Sequence, residues 1–334
     1  MKVLSIWGWV ESNKMNILVT GGAGYIGSHV VRYLVEKGHK PVIVDKSPHA
    51  RALFSEVENQ VEIINADLSD RNNLDTIFKE HRFEAVLHFA GSIEAGESMK
   101  NPAAFFQNNV VNGINLLDMM VKHKVSKIIF SSSAAVYKTK DGLLAETDAL
   151  APGNFYGETK LKFERLLHWY NRIHGIKFVS LRYFNAGGAG YGLGEKHVQE
   201  THLIPLVLQA ALDKKDPLKV FGSNYSTPDG TCIRDYIHVL DLASAHLLAL
   251  EKINDSPQIY NLGTGKGYSV REIINIAEEI TGTEITAVDA PAREGDAAYL
   301  VADPTEINQK WGWKAQYDIR DIIKSAWEFH KNNQ

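Results

Sequence analysis

The chain has 334 residues, 44% of them apolar and 23% charged, and a formal net charge of −4. That length supports one large or two modest domains, and so small a charge gives no electrostatic ground for a nucleic-acid or membrane partner. A single cysteine, Cys232, excludes an internal disulfide and points to a reducing, cytoplasmic setting, and no apolar run approaches the roughly 20 residues that span a bilayer.

Residues 1–10 resemble the start of a short signal peptide, yet Glu11 and Asn13 follow without a small-residue cleavage site. Residues 1–14 are therefore expected to be an extension without function, with Met15 an alternative start. Residues 16–20 read as a buried parallel strand running into a glycine turn, Gly21-Gly22-Ala23-Gly24-Tyr25-Ile26-Gly27. A helix with Val30, Val31, Leu34 and Val35 on its apolar face follows and stops at Gly38. Strand-like runs then recur at 41–45, 61–64, 85–89, 127–130, 178–181 and 258–261, with amphipathic helices such as 108–123 and 159–174 between most of them.

This alternation predicts an α/β fold, a Rossmann-type doubly wound parallel sheet. After Asn185 the pattern changes to glycine-rich and turn-rich loops, with helices at 270–281 and 319–329, which predicts a smaller C-terminal α/β substrate-binding lobe. The expected division is a dinucleotide domain at 15–185, joined by about 236–262, and a second lobe at 186–334.

The turn glycines sit between strand and helix, where backbone N–H groups and the helix N-terminus can approach a pyrophosphate. Gly21, Gly24, Tyr25, Ile26 and Gly27 are thus expected to hold a dinucleotide. Asp45, ending the second strand, would accept hydrogen bonds from the adenosine ribose and repel a 2′-phosphate, favouring NAD over NADP. Asp67 and Leu68 are candidates for the adenine end, with Asp67 alternatively a helix N-cap. His88 ends a buried strand and reads as a core histidine, while the small residues after it allow close approach of a cofactor.

Ser131-Ser132-Ser133 follows another strand, where a hydroxyl can bond a substrate oxygen during proton transfer. Tyr156 and Lys160, at i,i+4, share one face of a helix. An ammonium on that face is expected to hold the phenol partly ionised, far below its free value near pH ~10, as a proton abstractor beside a nicotinamide requires.

Together, residues 20–27, 88–91, 131–137, 156–160, 181–185 and 234–239 resemble the UDP-glucose 4-epimerases of the extended short-chain dehydrogenase/reductase family, from about residue 16 to near the C-terminus. The resemblance implies a tightly held NAD that is reduced and reoxidised within each turnover, with a transient 4-keto sugar. It implies Tyr156 as the base at the sugar 4-hydroxyl, Lys160 on the nicotinamide ribose and Ser133 on the same 4-oxygen. It implies further cofactor contacts at Phe89, Ala90, Gly91, Asn109, Tyr183 and Phe184. For the UDP-sugar it implies Asn185, His202, Leu203, Lys219, Val220 and Phe221, with Arg234 and Arg293 on the diphosphate and Asp296 on the uridine ribose. A homodimer through helices forming a four-helix bundle is implied as well; no metal is expected.

Three residues depart from the family pattern. Ile93 stands where one branch has a lysine, Phe155 replaces a proline, and Leu300 occupies a position that governs acceptance of N-acetylated sugars. Other UDP-sugars (UDP-N-acetylglucosamine, UDP-xylose, a uronate) therefore remain alternative substrates. A sugar-nucleotide dehydratase would need a carboxylate just after the serine strand, where Ala134 and Ala135 stand. A non-catalytic NAD-binding protein would generally have lost the tyrosine or the lysine.

Overall fold

A computed structural model describes residues 14–197, 200–213, 217–254, 256–293 and 296–333. The expected N-terminal extension falls outside the described residues, apart from Lys14.

Seven parallel strands form the main sheet, in the spatial order Gln258–Leu262, Lys177–Tyr183, Lys127–Ser133, Ala85–His88, Asn16–Thr20, Lys40–Asp45 and Glu62–Asn65. Strand order reverses at Asn16–Thr20, which pairs with Lys40–Asp45 on one side and Ala85–His88 on the other. Connections there leave toward opposite faces, so a crevice opens beyond the carboxyl ends of these strands. The glycine turn begins at that point.

Side chains alternate across the sheet. Ile17, Val19 and Ile43 face one apolar layer, which includes Val30, Val31 and Leu34 of the helix Tyr25–Glu36. Leu18, Val42 and Val44 face the other, with Leu116, Leu117 and Phe163. Both faces are covered, which is why these strands read as continuous apolar runs.

The second lobe has its own core, where Ile204, Val207, Ile273, Ile274, Ile322 and Ile323 bring together the helices Leu203–Leu212, Val270–Thr281 and Ile319–Asn332. Its strand Ile233–His238 lies beside Tyr299–Ala302, which in turn pairs with Leu143–Leu144 from the first half of the chain. The helix Val239–Lys252 then returns its Leu242, Ala245 and Ala249 to the first core, and Gln258–Leu262 closes the sheet edge. The chain thus passes between the lobes at several points.

Two local expectations are corrected. The helix expected over 108–123 contains a π-helical turn, Gln107–Val111, before the regular helix Asn112–Lys122. Asp70, not Asp67, caps the helix Arg71–Glu80, accepting from the N–H groups of Asn72 and Asn73. Asp67 closes a local turn instead, accepting from Ser69 N at 2.8 Å; its carboxylate lies a full turn too early to reach the helix N–H groups.

Candidate active site

A cleft of about 650 Å³ opens at the strand-order reversal and runs toward the second lobe. Among its lining residues are Gly21, Gly24, Tyr25, Ile26, Gly27, Asp45, Phe89, Gly91, Ser133, Tyr156, Lys160, Tyr183, Phe184, Asn185, His202 and Leu203. Residues expected from distant stretches of sequence are therefore neighbours. A depression of about 600 Å³ at Pro257, Tyr260 and Trp311 carries one lysine and no comparable set of reactive groups.

The glycine turn fits a dinucleotide on two observations. A Cβ on Gly27 would lie 2.3 Å from the carbonyl oxygen of Gly21, so only glycine lets the helix start this close to the strand. The helix Tyr25–Glu36 has no side-chain N-cap bond and no acidic residue in its first turn. Its first N–H groups are left for an anionic ligand. Asp45 braces the turn, its carboxylate accepting from Ala23 N at 2.9 Å and Ser47 N at 2.8 Å. A carboxylate has lone pairs to spare for ribose hydroxyls. Lys46 lines the cleft and lies 3.7 Å from Asp67. Asp67, Leu68 and Ala90 lie outside the lining, Asp67 partly exposed and Leu68 buried behind it.

Asn109 also stands behind it, donating to Ser92 O at 2.9 Å and to Thr159 Oγ1 at 3.0 Å. The residue that lines the cleft is Asn108, held by Ser92 Oγ at 2.9 Å. The π-helical turn puts these successive asparagines to separate uses, and periodicity gives no sign of it.

Tyr156 lies in the first turn of Phe155–His174, whose N-cap Asn154 accepts from Gly157 N. The helix meets the serine strand closely, since a Cβ on Gly157 would fall 2.2 Å from the carbonyl oxygen of Ala135. That approach brings the Ser133 hydroxyl close enough to the phenol to ease its ionisation, and both line the cleft. One turn on, Lys160 donates from Nζ to Ser131 O at 2.8 Å, and its ammonium lies 5.7 Å from the Tyr156 ring centroid.

In the cofactor-free fold the phenol is held protonated at neutral pH. Burial pushes Tyr156 up to about 12, the Ser133 hydrogen bond draws it partly back, and the Glu94 carboxylate opposes ionisation. The Lys160 ammonium is turned toward the Ser131 carbonyl, so desolvation outweighs it. Burial also lowers Lys160, to about 8 from an ordinary 10.5. Below pH 8 the cofactor-free fold must carry a buried charge. Between pH 8 and 10.5 the unfolded chain binds more protons than the folded one, so that penalty fades as pH rises. Lys160→Met is expected to stabilise the cofactor-free protein by about 2–3 kcal/mol at pH 7 and to give no gain above pH 10.5. Urea unfolding at the two pH values checks this; an equal gain at both would contradict it.

His88 is buried, 2.7 Å from Thr20 Oγ1 through Nδ1, and burial depresses it to about 3. It is a neutral core residue. Tyr183 lies in register with Ser133 on the neighbouring strand and is hydrogen-bonded to the buried His246 at 2.5 Å. Beneath the site, Arg182 is nearly fully buried and grips Glu164 through two bonds of 3.0 and 2.7 Å, while Ser132 donates to Glu164 at 2.6 Å.

The residues expected at the uridine end gather beyond the cleft. Arg234 is paired with Asp296, and the Arg293 guanidinium stacks 4.3 Å over the Phe221 ring. Lys219 and Val220 lie on the same strand as Phe221, in register with Val288 and Asp289. Arg234 and Tyr236 are two apart on one strand and share a face, and Tyr236 lines the cleft as does Leu300, the register partner of Arg234. The cluster therefore continues the cleft.

Among the lining residues that escaped the sequence reading are Glu94, Asn108, Glu195 and His197. The last two belong to a group with Glu200 and His202, which the spacing Glu-x-His-x-x-Glu-x-His could have signalled. His202 Nδ1 lies 2.8 Å from Glu195 and 3.3 Å from Glu200. Against the desolvation that would lower it, these carboxylates raise His202 to about 10.

The pattern of the NAD dependent epimerase/dehydratase family matches residues 17–263. A UDP-glucose 4-epimerase of Halalkalibacterium halodurans is 44% identical over 327 residues, 96% of either chain. Among solved structures, a UDP-glucose-4-epimerase of Stenotrophomonas maltophila with bound NAD and formylated UDP-arabinopyranose superposes with a TM-score of 0.91 at 38% identity, over 96% of this chain and 98% of that one. A UDP-glucose 4-epimerase of Bifidobacterium longum in complex with NAD+ and UDP gives 0.90 at 38% identity, over 95% and 98%.

Proposed function

We propose, from the premise that the chain belongs to the NAD dependent epimerase/dehydratase family, that it is an NAD-dependent isomerase interconverting UDP-glucose and UDP-galactose. The observation that carries this reading is the Tyr156 phenol, in one cleft with the Ser133 hydroxyl, one helical turn from Lys160 and facing the same cleft as an uncapped glycine turn.

Residues 15–185, joined by 236–262, hold the cofactor, and residues 186–334 hold the UDP-sugar. When bound, NAD supplies reversible hydride acceptance at the sugar C4 and a positive nicotinamide that favours the ionised phenol. Tyr156 then takes the proton of the 4-hydroxyl, and Ser133 donates a hydrogen bond to that oxygen as it becomes a carbonyl. Lys160, one of whose three N–H groups is held by the Ser131 carbonyl, keeps the others for the cofactor ribose, and its charge joins that of the nicotinamide in favouring the phenolate. The 4-keto sugar turns in the cleft, and Tyr156 returns its proton to the oxygen on the opposite stereochemical course. Arg234 exchanges Asp296 for the diphosphate, a second anion its planar fork can grip, and Arg293 adds the other cation.

Elimination of water is disfavoured because Ala134 and Ala135 line the cleft after Ser133. Near Tyr156 stands the carboxylate of Glu94, where elimination needs an acid and base pair. Ile93 and Leu300, both in the lining, leave other UDP-sugars as the second reading. Purified protein given UDP-galactose should form UDP-glucose with no net release of NADH. A 4-keto-6-deoxy product would instead indicate a dehydratase, no turnover of any UDP-hexose a binding protein, and turnover of UDP-N-acetylglucosamine alone the second reading.

A homodimer is part of this reading. Trp169 and Ile173 on the outer face of the Tyr156 helix are 55% and 64% exposed, with Phe106 and Met99 also exposed. Sedimentation equilibrium tests it; a monomer at micromolar concentration would refute it. A cytoplasmic setting is likewise proposed, on the lone and buried Cys232; no helix among the described residues is long and apolar enough to cross a membrane.

A further inference from the structure

We propose that Glu195, His197, Glu200 and His202 form a site for one divalent transition-metal ion of the zinc class on the wall of the cleft. Each offers a donor atom, and the four atoms lie within 4.8 Å of one another. In a tetrahedral site with bonds of about 2.0–2.2 Å the donors stand roughly 3.4 Å apart, so small side-chain rotations would close the group around an ion.

The chemistry of the set points the same way. Two imidazoles and two carboxylates suit zinc and its neighbours, and two carboxylate charges neutralise a dication. Hard cations such as magnesium prefer an all-oxygen shell with several waters.

The only charged partners of these carboxylates among the described residues are the imidazoles of the same group. Glu195 is 6% exposed, a burial that carboxylates accept only when paired. Among the described residues no lysine or arginine forms an ion pair with Glu195 or Glu200; their partners are the imidazoles of His197 and His202. An imidazolium at His202 is the competing occupant of the same field.

The backbone prepares the arrangement. Glu200 accepts from the N–H groups of Thr201 and His202, both at 2.8 Å, which fixes its carboxylate at the start of the helix Leu203–Leu212. His202 is the N-cap position of that helix, yet its side chain makes no capping bond. It is turned instead to the two carboxylates. Nothing here depends on which sugar the cleft takes.

The test uses full-length, untagged protein freed of metal with a chelator and titrated with cobalt(II) and zinc(II) chloride, without substrate. The expected result is one equivalent bound with a dissociation constant below about 10 µM, a tetrahedral cobalt spectrum, and a higher melting temperature with zinc. His197→Gln and Glu200→Gln are each expected to weaken binding by about tenfold or more, while His174→Gln, on the Tyr156 helix, leaves it unchanged. Absence of a saturable single equivalent in the wild-type protein would overturn the proposal, as would binding that survives the His197→Gln/Glu200→Gln double variant. If the variants do not fold, the wild-type cobalt spectrum decides, since a six-coordinate oxygen spectrum is also incompatible with this site. Because no turnover is measured, failure here leaves the proposed reaction untouched, and a failed epimerase assay leaves the metal site untouched.

Discussion

Tyr156→Phe is expected to lower kcat by about 10²-fold or more, with the affinities for NAD and UDP changed little. The substitution removes one oxygen and keeps the ring, so the cleft wall and the packing of the Phe155–His174 helix persist. In the folded chain that oxygen lies near the Ser133 hydroxyl at the cleft wall. The cost to the fold should therefore be about 1 kcal/mol. What disappears is the group that removes the proton as hydride leaves C4, a contribution made in the transition state, so kcat falls while KM stays near its value. Initial rates with UDP-galactose, beside retained cofactor measured after gel filtration, check both halves. A near-normal rate would sink the mechanism; lost cofactor would instead mean that the phenol holds the cleft together.

Glu164→Ala is expected to destabilise the protein by about 3–5 kcal/mol. The carboxylate lies one turn beyond Lys160, accepts two bonds from Arg182 and one from Ser132, and all four residues are buried. Removing it strands the Arg182 guanidinium, which keeps only a 2.8 Å bond to the Tyr137 hydroxyl and a longer one to Glu146 O. A stranded buried charge costs far more than the pair itself is worth. The double variant Glu164→Met/Arg182→Met should accordingly be less destabilised than Glu164→Ala alone. Urea denaturation of the three proteins makes the comparison. A double variant at least as unstable as the single one would show that packing, and not the stranded charge, sets the cost. Glu164 also favours the charged form of Lys160, so the single variant should lower that lysine's titration further.

The scaffold was legible because its signals are local. Ile17, Leu18 and Val19 form an apolar run covered on both sides, and Tyr156 and Lys160 share a face by helical geometry alone. Contributions set by three-dimensional surroundings were not legible. The direction of the Tyr156 shift depends on how deeply the phenol is enclosed and where the Lys160 ammonium points, and neither is written in an i,i+4 spacing. Asn108 and Asn109 look interchangeable in sequence, and a single π-helical turn separates their roles. Asp67 and Asp70 are equally good capping residues by type, and the position of the first helical N–H groups chooses Asp70. Arg234 and Asp296 were assigned to different parts of a ligand, yet in the ligand-free fold strand and loop bring them together as an ion pair.

Repeated passage of the chain between the two lobes bears on how a sugar can show both faces to one hydride donor. With Leu143–Leu144 paired into the second lobe and the helix Val239–Lys252 packed back into the first, no single loop joins the two halves. Such a body resists opening like a jaw, because several strands of backbone would have to give at once. In the proposed reaction the swivel is then supplied by the guest: the single bonds between the diphosphate and the hexose ring.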